Sequence, residues 1–263
     1  MTRPVNLDTL RELELLDVLP HLWRTGTPAG APATSPEAPQ RTSTPAVVAP
    51  GTQRAPKAPI AAQPLPVPAD PARAARIAAL DWRALNEDMA ACRACRLCER
   101  RKQAVPGVGA LDASWLFVGE GPGAEEDEQG EPFVGQAGKL LDAMLAAAGL
   151  QRGREVYIAN VVKCRPPGNR TPSPDEAEAC APYLDRQINL IRPKIIVALG
   201  KTAVTRLTGR DTSMASLRLQ RFEYQGIPLV ATYHPAYLLR NLPDKLKAWE
   251  DLVFARRVRA ETR

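Results

Sequence analysis

Trp115-Leu-Phe-Val-Gly119, running straight into Glu120-Gly-Pro-Gly123, decides the fold. A short apolar run closed off by a glycine-proline cluster has the bounds of a buried strand feeding a tight turn. Three more segments share that form: Val156-Tyr-Ile-Ala-Asn160, Ile195-Ile-Val-Ala-Leu199 and Leu229-Val-Ala-Thr232. Helix-like stretches separate and follow them, near Gly135 to Ala148, Pro174 to Ile191, Thr202 to Thr208 and Asp244 to Val258. Alternating strand and helix predicts an α/β fold, a three-layer α/β/α sandwich with a central four-stranded, mostly parallel sheet. Open sheets of this kind bind ligands beyond the carboxyl ends of their strands. Glu120 to Gly123, Asn160 and His234-Pro235 fall at those ends, so distant parts of the chain deliver polar groups to one rim.

Toward the N-terminus, Ala72 to Ala91 reads as a helix with Ile77, Leu80, Trp82 and Leu85 on its buried side. Before it the chain changes character. Of the 26 prolines, 12 crowd between Pro28 and Pro71, among Ala, Thr, Ser and Gln and without an aromatic. Such a segment buries too little apolar surface to offset its ordering entropy. The expected organisation is a short helical arm over 1–24, a disordered Pro/Ala-rich linker over 25–71 and one folded domain over 72–263. Leu7 to Leu19 carries the arm's helical spacing, which reads as a weakly ordered lead-in, with a partner-binding peptide as the alternative.

The net charge of +6 tilts mildly toward a polyanionic partner. No apolar run approaches a bilayer span, and acids interrupt the first twenty residues where a signal peptide would be apolar. The expectation is a cytoplasmic monomer with no membrane partner. Five cysteines, an odd number, argue against a disulfide framework in a reducing compartment and for metal or redox chemistry.

Each motif has a plain reading beside the chemical one. Gly119-Glu-Gly-Pro-Gly-Ala124 partly matches a dinucleotide fingerprint, yet it runs into Glu125-Glu-Asp-Glu128, whose charge repels phosphate. A neutral ligand, or simply a tight turn, fits better. Gly200-Lys201-Thr202 resembles the end of a phosphate loop, but Ile195 stands where that loop needs glycine, so Lys201 is assigned to a helix start. Cys92-x-x-Cys95 can chelate from one turn and Cys98 repeats the spacing, with Cys164 and Cys180 far downstream. Four thiolates hold zinc or an iron-sulfur cluster, and spacing alone does not choose. Of the two histidines, His21 lies in the arm, whereas His234 follows an apolar strand and is stiffened by Pro235.

Taken together, CRACRL at 92–97, GEGPGAEED at 119–127, GEPFVGQAG at 130–138, YIANVVKCRPPGNRTPSPDEAEAC at 157–180 and HPAYLLRN at 234–241 resemble the family 4 uracil-DNA glycosylases, the iron-sulfur branch of the uracil glycosylase superfamily. The likeness covers about Ala91 to Val258. It implies a uracil-DNA glycosylase fold and hydrolysis of the N-glycosidic bond of uracil in single- or double-stranded DNA, the first step of base-excision repair. It also implies a structural 4Fe-4S cluster on Cys92, Cys95, Cys164 and Cys180, with Cys98 matching no ligand.

The resemblance carries site roles with it. Phe133 matches the aromatic that stacks on the extruded base, Asn160 the amide that reads uracil's polar edge, and Glu126 a residue that helps exclude thymine's methyl. The backbone of Glu120 and Gly121 lines the pocket, and His234 stabilises the departing uracil anion, with Glu120 near the cationic sugar. Arg165, Arg170 and Arg240 are expected on phosphates, with Leu238 or Leu239 as the wedge that fills the gap left by the base. Between Lys163 and Pro174 there is no histidine to trap the sugar covalently, so turnover with release is expected. The N-terminal segment is a candidate tether to a replication or repair protein. Two rival readings are a glycosylase for another deaminated base, such as hypoxanthine, and a non-catalytic iron-sulfur protein that binds DNA or transfers electrons.

Overall fold

The computed structural model describes residues 70–262, all within a compact unit spanning Lys57–Arg263. The expectations placed on the arm and most of the linker lie outside the described residues. The sheet has six strands: β1 (Val108–Gly109), β2 (Trp115–Gly119), β3 (Val156–Asn160), β4 (Ile195–Leu199), β5 (Arg221–Tyr224) and β6 (Ile227–Thr232), in the order β1-β3-β2-β4-β6-β5. The inner four, β3, β2, β4 and β6, are the expected ones and pair in parallel.

The expectation of four strands is corrected by the two edges, both antiparallel. β1 has only two residues, too few to show a period. β5 and β6 form a hairpin around Gln225 and Gly226, both at positive φ, which matches the twist of the flanking strands. Such a two-residue turn ending in glycine was the sequence signal for β5, and the charges of Arg221 and Glu223 masked the strand itself.

All residues of β2, β3 and β4 are buried, as befits parallel strands covered on both sides. Alternate side chains feed two cores. Leu116, Val118, Ile196 and Ala198 pack with helices α1 (Pro71–Ala78), α2 (Trp82–Ala91), α5 (Pro174–Ile191) and α6 (Lys201–Thr208). Phe117, Ile158, Val197 and Val230 pack on the opposite face with α4 (Gln136–Ala147) and α9 (Lys245–Glu261). Among the described residues three short α-helices complete the set: α3 (Ala124–Gln129), α7 (Met214–Leu217) and α8 (Pro235–Leu238).

The single helix expected over Ala72 to Ala91 is two. Asp81 turns its side chain back to accept from the Ala84 amide and starts α2 afresh, as Asp70 does for α1 by accepting from Arg73. An aspartate cap is worth about 1 kcal/mol, enough to favour a break where the packing direction changes.

Candidate active site

The site begins with strand register. Gly119 ends β2 directly opposite Asn160 at the end of β3. A Cβ on Gly119 would stand 2.5 Å from the Asn160 side-chain oxygen and 2.6 Å from Phe133 Cζ, so only glycine lets the amide and the ring converge there. Phe133 in turn stacks on His234, with ring centroids 5.4 Å apart and planes at 29°. Phe133, Asn160 and His234 line one cleft of about 480 Å³, together with Glu120, Gly121 and Glu126. Asn160 is 2% exposed and its Oδ1 has no hydrogen-bond partner. A buried orphan acceptor costs about 1–3 kcal/mol until a donor meets it.

His234 caps α8, its Nδ1 accepting from the Ala236 amide at 3.1 Å. An accepting Nδ1 leaves the ring proton on Nε2. Burial, aided by the charge of Arg240, pushes the imidazole down to about 4, so it is a neutral donor at physiological pH. Glu120 accepts from the Thr202 hydroxyl at the start of α6. Glu126 accepts from the amides of Gly123, Val134 and Gly135 at 3.0–3.1 Å and so forms a fixed wall of the cleft.

A second site lies on the α1–α2–α5 side of the sheet. Cys92, Cys95, Cys98, Cys164 and Cys180 surround a void of about 10 Å³. Cationic and amide donors face their sulfurs: Arg101 to Cys164 at 2.9 Å, Arg73 to Cys92 at 3.5 Å, and the Lys163 amide to Cys180 at 3.3 Å. Burial pushes the Cys180 thiol up to about 12 and raises those of Cys164 and Cys95. Buried thiols ringed by donors suit thiolates bound to a metal group, which supplies the missing positive charge. Among the described residues no three His, Cys, Asp or Glu converge on a single ion. Cys98, expected to be uninvolved, borders the same void.

Residues 106–253 match the uracil DNA glycosylase superfamily. A Type-4 uracil-DNA glycosylase of Thermotoga maritima is 47% identical over 165 residues, covering 62% of this chain and 85% of that one. That of Sulfurisphaera tokodaii is 44% identical over 176 residues, covering 64% and 79%. The chain belongs to the type-4 branch of this superfamily. A Type-5 uracil-DNA glycosylase of Pyrobaculum aerophilum is more distant, 32% identical over 154 residues and covering 52% and 67%.

Not every residue expected at the type-4 site reaches the cleft in an available state. Leu238, one of the two leucines expected as a wedge, is fully buried against Tyr233 and Ala248. Leu239 is 41% exposed. Arg240 borders the cleft. Arg170 does too, but its guanidinium is already forked onto Glu176 at 2.7 and 2.8 Å, holding that carboxyl down to about 2. Arg165 lies off the cleft with its Nε donating to Asn169. Lys201 starts α6 as expected and pairs with Asp211 on the surface. Sequence reasoning missed Thr202, whose hydroxyl was hidden inside the failed phosphate-loop match. It also missed Lys163, a fully buried amine that donates to the Asn160 carbonyl at 2.8 Å and to Gln187 at 2.6 Å.

Proposed function

We propose that this chain hydrolyses the N-glycosidic bond of uracil in DNA and releases free uracil. The observation that carries the reading is the Asn160 amide, whose Oδ1 has no partner, at a cleft it lines together with Phe133 and His234. Uracil offers N3–H to that oxygen and its O4 to the amide NH2 beside it. Cytosine presents the reverse polarity at both atoms and leaves the acceptor unsatisfied, which is the strong form of discrimination. Phe133 stacks on the ring, and the fixed carboxylate of Glu126 crowds the edge where thymine carries its methyl.

When the bond from N1 to the sugar breaks, its electron pair stays on the base and the sugar becomes an oxocarbenium-like cation. His234 Nε2–H donates to uracil O2 and strengthens as negative charge grows there; a preorganised donor of this kind is worth about 3 kcal/mol. Because the ring is neutral and its Nδ1 is committed to Ala236, it stabilises the anion without transferring a proton. Glu120, steadied by Thr202, presents carboxylate to the sugar, offsets its positive charge and orients the attacking water. In duplex DNA the nucleotide swings out at a cost of a few kcal/mol, and Leu239 fills the gap while Arg240 meets a phosphate.

Cys92, Cys95, Cys164 and Cys180 would hold a 4Fe-4S cluster whose contribution is structural. Through these four cysteines such a group would tie the loop after β3, which carries Pro166 and Asn169 to the cleft wall, to α2 and α5.

The test is direct. Purified protein is incubated with a uracil-containing oligonucleotide and abasic sites are then cleaved with alkali; absence of strand breaks overturns the reading. A parallel hypoxanthine oligonucleotide cut faster than uracil would reassign the substrate.

A further inference from the structure

The ring proposed to stack on uracil stands on an uncomfortable backbone. Phe133 has φ of +56°, in the left-handed region that a bulky residue enters only under strain. Something must hold it there. On one side the Phe133 carbonyl lies over Gly138 of α4, where a Cβ would come within 1.8 Å of the oxygen. On the other side Arg152 Nη2 donates to that same oxygen at 2.8 Å, while its Nη1 donates to the Pro132 carbonyl at 2.8 Å. The fork is aimed in turn by Asp142, which accepts from Arg152 Nε at 2.9 Å. Arg152 also bridges to Val156, the first residue of β3, the strand that ends in Asn160.

The geometry points to Arg152 as a positioning residue for base stacking, one that fixes the Phe133 peptide in its left-handed state and thereby sets the ring against His234. This deepens the proposed function and rests on its assignment of Phe133 as the stacking ring. Arg152 does not line the cleft and lies outside the sequence blocks that carry the family likeness. Its two bonds replace solvent on two consecutive carbonyls, and the amides that follow, of Val134 and Gly135, are held by Glu126. With both flanks of Phe133 pinned, the side chain has one direction left. Loss of the fork frees the peptide to relax to negative φ, which swings the ring off the base. A lysine ammonium is a point charge without the planar fork that meets both carbonyls and Asp142 together.

The test is a double-mutant cycle of R152A, F133A and both together on a uracil oligonucleotide. Enzyme concentration is varied under single-turnover conditions, so that half-saturation and maximal rate separate, and thermal unfolding of each protein is followed alongside. R152A should raise half-saturation and the inhibition constant of free uracil about tenfold, with the maximal rate within about twofold. On the F133A background the same change should cost less than twofold, and R152K should fall between R152A and the parent. Equal effects of R152A on both backgrounds, or a loss confined to maximal rate, would overturn the positioning role. If F133A itself matches the parent, the stacking assignment falls and this inference with it. If the parent protein makes no abasic sites, it is the proposed activity that fails. Should R152A unfold, R152Q carries the same comparison.

Discussion

The cleft and the cysteine site are both assemblies of buried polar groups, and they differ in what they leave unmet. The cleft keeps an acceptor of Asn160 without a donor and an imidazole held neutral, so it waits for an uncharged ligand with complementary hydrogen bonds. The cysteine site gathers thiols under Arg73 and Arg101, so it waits for charge. The contrast teaches that a vacancy of polarity marks recognition, whereas an excess of one chemistry marks a scaffold. Substitutions at the first should change rate and leave stability nearly intact, and substitutions at the second should do the reverse.

The largest effect expected is at the cleft. N160D or H234A should lower the single-turnover rate about a hundredfold or more while the protein stays folded, and kinetics equal to the parent's would break the assignment. C164S or C180S should bleach the visible absorption of the purified protein and lower its melting temperature on the order of 10 °C, with little change in rate per folded molecule. A parent protein that is colourless and free of iron would break that half of the contrast.

Acid should separate the two sites as well. His234 titrates near 4 in the folded chain against an ordinary 6.5, so the folded state binds fewer protons than the unfolded one between those values. Its contribution to stability is whole above about pH 6.5 and is lost as pH falls toward 4, amounting to about 3 kcal/mol, and H234N should flatten that slope in chemical denaturation. The smallest effect is at Leu239. L239A should slow excision from duplex several-fold and leave single strands unaffected, whereas L238A should cost about 2–5 kcal/mol of stability with either substrate. The opposite pattern would return the wedge to Leu238.

Much of this was legible in the chain. Short apolar runs followed or closed by glycine or polar residues gave the inner strands, because parallel strands are buried on both faces and need no alternation. The edges were not, since Val108–Gly109 is too short to show a period and Arg221–Tyr224 is only four residues long, with buried Phe222 and Tyr224 alternating with charge. Phe133, Asn160 and His234 were legible through the family blocks and do meet at one cleft. The state of neighbouring residues was not: Leu238 and Leu239 are adjacent in sequence and opposite in burial, and only packing against Tyr233 and Ala248 separates them. Arg152 and Thr202 act through backbone carbonyls and a hydroxyl, contacts made across the fold that no local pattern announces.

Gly119 and Asn160 face each other across two hydrogen-bonded strands, not across a loop. A mouth framed by a β-ladder is rigid before any nucleic acid arrives, so the burden of deforming falls on the DNA. Uracil already loosened, in a single strand or in a wobble pair with guanine, should therefore be processed ahead of uracil seated opposite adenine.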